Sequence, residues 1–234
     1  IGVAVIKQGG NAFDAMIATQ LALAVAYPYA GNISGGGFMV YRLNDGKTGT
    51  LDFREKAPLA ATKNMFLDQN GDVIPDASTD TALSVGIPGA IAAIFEIHKK
   101  FGSLPLEKLF QPAIALAEKG VVITPKQLVQ INSNQELIIK LNGDKTLYSK
   151  VFHVGDTIKY LAIAKTLKRI LKNGRDEFYK GETAKKMIGY LQKKGGIMTL
   201  KDLADYEVKW RDPLAFKYKN LNIPLSKTGL SNFK

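Results

Sequence analysis

The segment Leu51-Asp52-Phe53-Arg54-Glu55-Lys56-Ala57-Pro58 sets an arginine between two carboxylates where an alternation of apolar residues comes to an end. Arginine at the end of a strand can present a planar fork of N–H donors to a carboxylate ligand. The same spacing suits an ordinary ion pair with Asp52 or Glu55, and spacing alone leaves both open. Other chemistry has less to stand on. The two histidines, His98 in Glu96-Ile97-His98-Lys99-Lys100 and His153 in a polar turn before Gly155, lie in no catalytic context and have no ligand spacing for zinc. Both read as structural or surface side chains. The sequence has no cysteine, which removes disulfides, thiolate metal sites and cysteine nucleophiles together. The run Ser34-Gly35-Gly36-Gly37 invites comparison with a phosphate-cradling loop, but it leads into a strand and no Gly-Lys-Ser/Thr follows. It reads instead as a chain reversal that only glycine can make, or as a place where another backbone or a ligand comes close.

The chain around these residues has the make-up of a globular domain: 234 residues, 46% hydrophobic and 23% charged. Its 32 Lys+Arg against 21 Asp+Glu give a net charge of +11. Such a charge would favour nucleic acid or other acidic partners only if it converged. It does not: the lysines are scattered, and the pairs Lys99-Lys100, Lys185-Lys186 and Lys193-Lys194 fall late in candidate helices, where cations suit the dipole. No nucleic-acid partner is expected. The longest apolar stretch, Ala15 to Ala26, is interrupted by Thr19 and Gln20 and falls short of the roughly 18 residues of a membrane span. Ile1-Gly-Val-Ala-Val-Ile-Lys-Gln-Gly-Gly reads as a helix already under way and stopping at glycine. A preceding segment is therefore expected, and any secretion signal would lie there.

The positioning elements follow from caps and periodicity. Asn11 is a good N-cap for a buried helix that runs to the stop at Pro28. Phe38 to Leu43 and Thr48 to Phe53, flanking Asn44-Asp45-Gly46, predict a β-hairpin. Helices are expected at Pro88 to Phe101, Pro105 to Lys119, Pro125 to Leu141, Thr157 to Asn173 and Glu182 to Lys194, several opening on proline. A last alternation, Leu214 to Tyr218 with Leu221 and Ile223, suggests returning strands. The sum is an α+β layered domain with a helical lobe attached. It is read as a single unit, with a sheet-core region over 1–87, a mostly helical lobe over 88–205, returning strands over 206–223 and a divergent tail over 224–234.

Ordered motifs along nearly the whole chain resemble γ-glutamyltranspeptidases. They are Gly9-Gly10-Asn11-Ala12 with Asp14-Ala15; Gly31-Asn32 through Gly35-Gly36-Gly37-Phe38-Met39; and Asp52-Phe53-Arg54-Glu55 with Ala57-Pro58 and Met65-Phe66-Leu67-Asp68. The similarity continues through Gly86-Ile87-Pro88-Gly89, Leu109 with Gln111-Pro112-Ala113, and Asp176-Glu177-Phe178-Tyr179-Lys180-Gly181, to Asp202-Leu203 with Tyr206 and Pro213.

The resemblance implies the N-terminal-nucleophile hydrolase fold, an αββα sandwich of two packed sheets between helical layers, incomplete in this chain. It implies a precursor that cuts itself into a large and a small subunit. The new N-terminal threonine of the small subunit attacks the γ-glutamyl bond of glutathione or a related compound, and the acyl group passes to water or an amino acid. The threonine's own amine can act as base, so no histidine is required. By motif, Arg54 corresponds to the arginine that clamps the α-carboxylate of the γ-glutamyl group. Glu55 is expected to order the arginine loop, and the glycines are architecture. This chain then resembles the first two thirds or so of a large subunit, with no catalytic nucleophile of its own, no metal and no cofactor. It needs a small-subunit partner, and the family places it in the periplasm or outside the cell. Two alternatives go with the resemblance: a family acylase acting on glutaryl β-lactams, which Arg54 disfavours because such substrates lack the α-amino-acid head, and a non-catalytic remnant that binds acidic polymers. After Ile223 the family pattern is lost, and the chain reads Pro224-Leu225-Ser226-Lys227-Thr228-Gly229-Leu230-Ser231-Asn232-Phe233-Lys234.

Overall fold

A computed structural model describes residues 1–225. The opening residues form a short helix, α1 (Gly2–Lys7), which gives way to Gly9 in the left-handed region at φ 89°. Asn11 then caps α2 (Ala12–Ala26), its side chain accepting from the N–H groups of Phe13 and Asp14 while Asp14 returns a bond to the Asn11 N–H. Such a capping box satisfies donors that the first turn would otherwise leave open. The helix is apolar on nearly all sides because it is packed by α1 and by two later helices, α3 (Ala90–Phe101) and α4 (Leu106–Lys119). Ile17, Ala18, Leu21 and Val25 from α2 are fully buried with Leu51, Ile91, Leu109 and Phe110 in one continuous core.

The hairpin forms as expected from its turn. Strands β1 (Phe38–Arg42) and β2 (Thr48–Asp52) pair antiparallel, Phe38 opposite Asp52 and Arg42 opposite Thr48, and Gly46 supplies a φ of 88° in the loop. Gly37 and Phe53 exchange two further backbone bonds, so the pairing continues past the strand ends towards Arg54.

Beyond α4, β3 (Val121–Val122) leads to α5 (Pro125–Asn142), where Thr124 and Gln127 form a capping box with Pro125 in the first turn. The chain continues through β4 (Thr157–Ile158), α6 (Leu161–Asn173), α7 (Arg175–Tyr179), α8 (Glu182–Lys193) and α9 (Leu200–Ala204). The described residues close with β5 (Lys209–Arg211), β6 (Leu214–Tyr218) and β7 (Leu221–Leu225). The helix expected from Thr157 begins at Leu161 instead, because Thr157 and Ile158 are drawn into pairing with Val122 and Val121. Helix α3 begins two residues after Pro88, since Gly89 and Ala90 both donate to the Gly35 carbonyl at 2.9 Å.

The returning strands divide. β5 pairs with β2 and gives a three-stranded sheet in the order β1-β2-β5, whereas β6 and β7, among the described residues, pair only with each other. The mixture of helical layers and antiparallel sheet is the α+β arrangement expected, and its core lies between the sheet and α2, α3 and α4. The tail expected over 224–234 lies outside the described residues from 226 onward.

Candidate functional site

Arg54 stands two residues past the end of β2, and its guanidinium is free of strong partners. The side chain is 62% exposed, and its charged neighbour among the described residues is Glu55, with Nε and Oε2 at 4.0 Å. The Phe38 ring lies 5.6 Å beneath the guanidinium carbon, which supports its stem and one face. Asp52, the other carboxylate of the motif, is engaged elsewhere: Arg211 of β5 donates to it through Nε at 3.1 Å and through a terminal nitrogen at 2.9 Å. Of the two ion pairs that spacing left open, the one with Asp52 is thereby spent on Arg211, and the one with Glu55 is the long contact at 4.0 Å.

The backbone around Arg54 is held far more firmly than its side chain. The Arg54 N–H donates to Asp52 Oδ1 at 3.1 Å, and the Arg54 carbonyl accepts from the Tyr206 hydroxyl at 2.8 Å. Lys56 exchanges two backbone bonds with Ile87 and sends its ammonium to the Glu207 carbonyl at 3.0 Å. Leu59 N–H donates to Asp202 Oδ1 at 2.8 Å. Burial works against charge on Asp202, but the bonds from Leu59 and Thr199 more than offset it and hold its carboxyl below the usual value. Its other oxygen closes a capping box on α9 with Thr199.

The glycines permit this closeness. A Cβ at Gly36 would stand 2.6 Å from the Phe53 carbonyl oxygen and 2.8 Å from the Glu55 N–H nitrogen. The glycine run is thus the place where another backbone approaches, as the sequence suggested. Gly89 is confined in the same way, between the Phe53 carbonyl and the Tyr206 hydroxyl. Glu55 lies against Gly36 and Gly86.

The histidines are placed apart from this loop. His98 is bonded through Nε2 to the Leu104 carbonyl at 2.8 Å, and His153 lies in an exposed turn, 3.5 Å from Asp156. No group of three or more His, Asp or Glu side chains suited to a metal ion occurs among the described residues, and no helix there is long and apolar enough to cross a membrane. Sequence reasoning singled out Arg54 but did not show that Tyr206 bonds its backbone or that Asp202 bonds the loop at Leu59. They were visible only as members of a motif about 150 residues away. The signal in the sequence was Thr199-Leu200-Lys201-Asp202, a capping pattern that marks α9 and so the segment beneath the loop.

A model of the gamma-glutamyltranspeptidase family matches residues 1–230. Among curated proteins, the glutathione hydrolase proenzyme of Pseudomonas aeruginosa is 42% identical over 235 residues, covering 98% of this chain and 41% of its own length. Among solved structures, the gamma-glutamyltranspeptidase of Helicobacter pylori aligns with a TM-score of 0.95 at 42% identity over 98% of this chain and 67% of its own. The enzyme from Pseudomonas nitroreducens aligns with a TM-score of 0.88 at 41% identity. The chain thus spans about two fifths of the length of the curated relatives it matches.

Proposed function

The chain belongs to the γ-glutamyltranspeptidase family, and on that premise we propose that it is the part of a glutathione hydrolase and γ-glutamyltransferase that grips the γ-glutamyl head of the substrate. Arg54 clamps the α-carboxylate. The observation that carries this is the contrast within one residue: an exposed guanidinium whose carboxylate neighbour among the described residues, Glu55, stands 4.0 Å off, on a backbone fixed at both its N–H and its carbonyl. A charge-assisted, two-donor contact from such a base fixes the orientation of the bound group as well as its affinity.

The chemistry itself belongs to a second chain region. An N-terminal threonine from a small-subunit segment attacks the γ-carbonyl, its own amine taking the hydroxyl proton and passing it to the leaving amine as the γ-amide C–N bond breaks, and the acyl-enzyme ester is then discharged to water or to an amino acid. This chain supplies no nucleophile and is inactive alone. It forms one incomplete domain that is completed by the threonine-bearing segment, needs no cofactor, and works in the periplasm or outside the cell.

The test is release of a chromophore from a γ-glutamyl anilide by the purified chain, alone and then mixed with the separately made small-subunit region of a close relative. Silence alone and activity on mixing are expected. Turnover by the chain alone would sink the proposal and demand a nucleophile within these 234 residues. A γ-glutamyl ligand should also protect the chain against heat, and protection by heparin in its place, fading with salt, would favour binding of acidic polymers.

A further inference from the structure

One stretch of chain, α9 and the residues after it, underlies the whole Arg54 loop. Asp202, Tyr206 and Glu207 hold the loop at Leu59, Arg54 and Lys56 respectively. Of these three contacts, only that of Tyr206 falls on Arg54 itself. The two peptide planes that flank the Arg54 Cα are pinned, one through the N–H to Asp52 and the other through the carbonyl to Tyr206. With both planes fixed, the direction of the Cα–Cβ bond is fixed too, and the guanidinium searches only its own rotamers.

Tyr206 is built to be immovable. It is 1% exposed and stacks on Tyr179, ring centroids 5.8 Å apart and planes within 12°. Tyr179 is itself anchored by donating to the Pro88 carbonyl at 2.9 Å and accepting from the Ala92 N–H at 3.1 Å. The Tyr206 carbonyl accepts from Arg175, and the Lys56 ammonium lies 4.7 Å over the Tyr206 ring. A rigid aromatic stack of this kind has little freedom left to lose when a ligand binds.

We infer that Tyr206 is a positioning residue for substrate binding, its hydroxyl setting Arg54 to receive the carboxylate of an α-amino-acid head. The inference rests on the reading of Arg54 as the carboxylate clamp. Loss of the hydroxyl leaves the ring stack in place but releases the Arg54 carbonyl plane, so the clamp must be ordered by the ligand, at a cost to carboxylate-bearing ligands alone.

The experiment compares two ligands, a γ-glutamyl anilide and the 4-aminobutyryl anilide that lacks the α-carboxylate. Binding is followed by calorimetry on the full chain, alone and mixed with the threonine-bearing region of a relative in which the nucleophilic threonine is replaced by alanine, so that the γ-glutamyl anilide is bound and not turned over. Tyr206→Phe should weaken the γ-glutamyl ligand by about three- to tenfold, the worth of one hydrogen bond, and leave the 4-aminobutyryl ligand unchanged. In an Arg54→Ala background it should have no further effect on either. Tyr148→Phe, which removes a bond to Tyr160 in a separate cluster, controls for general loosening and should leave the ratio of the two affinities as it was.

Equal weakening of both ligands by Tyr206→Phe, or an effect that persists without Arg54, overturns the positioning role. So does a silent Tyr206→Phe when Arg54→Ala abolishes carboxylate preference. If instead Arg54→Ala leaves that preference intact, the clamp itself is wrong, and the inference goes with it.

Discussion

Asp14 offers a quantitative test of how the helical core is tied together. Its carboxylate is fully buried and carries bonds to three donors on two segments: the Asn11 N–H at 3.0 Å, the Ser103 N–H at 3.1 and 3.2 Å to its two oxygens, and the Ser103 hydroxyl. It closes the capping box of α2 and at the same time fastens the turn between α3 and α4 to that helix's N-terminus. Asp14→Ala leaves the Asn11 N–H without its partner in a part-buried setting. The two Ser103 donors lie at the surface and can turn to water, so they add less. Hydrogen bonds to a charged group contribute about 1.5–3 kcal/mol each, and loss of a helix cap costs about 1 kcal/mol. With the Ser103 bonds discounted, the expected loss is roughly 2–4 kcal/mol, a fall in Tm of about 5–15 °C for a domain of this size. The pH dependence adds a second reading. Burial alone would raise the Asp14 carboxyl, but the bonds from Ser103 and Asn11 outweigh it and hold the folded value below the usual carboxylate range. A lowered folded value means that stability is fully present above the ordinary carboxylate range and is lost as pH falls through the folded value. Thermal melts at pH 7 and between pH 5 and 3 on the unmodified chain, Asp14→Asn and Asp14→Ala would check both. A loss under about 0.5 kcal/mol for Asp14→Ala, or an acid-side slope unchanged by the substitution, would refute the argument.

Three further outcomes follow from particular contacts. Gly89→Ala drives a methyl into the Phe53 carbonyl and the Tyr206 hydroxyl, so a loss of about 3 kcal/mol in urea unfolding is expected together with loss of γ-glutamyl protection. Glu177→Ala removes the partner of Arg169 at 2.9 Å and of Thr183 at 2.9 Å in a site only 6% exposed. It should cost about 3 kcal/mol in the same assay, because a partly buried arginine loses its main neutralising group. Lys186→Ala, by contrast, breaks only an exposed pair with Glu182 one turn away, and its midpoint in urea should move by less than about 0.5 kcal/mol.

Much of the fold was legible because its signals are local. Asn11 caps α2, Asn44-Asp45-Gly46 turns the hairpin, and Pro125 opens α5, each for reasons contained within a few residues. What escaped was set by distant partners. Thr157-Ile158 has a helical pattern behind it but is captured by Val121-Val122, and Lys209-Trp210-Arg211, though inside the expected returning strands, gave no sign that its partner would be β2. The short helices α7 and α9 are five residues each and hold too little periodicity to stand out. The site shows the same division. Arg54 could be proposed from its place after an apolar alternation, whereas Tyr206 became relevant only when the chain returned 152 residues later to meet it.

Because the short bonds that fix residue 54 reach its main chain and not its side chain, the socket is indifferent to what is plugged into it. A lysine, histidine or glutamine at position 54 would be delivered to the same point in the same direction, since neither Asp52 nor Tyr206 touches anything that distinguishes one residue from another there. On the proposed reading of Arg54 as the clamp, ligand preference at this point in the fold is an exchangeable part. On that reading a single substitution at position 54 changes what is presented to the ligand without rebuilding the scaffold.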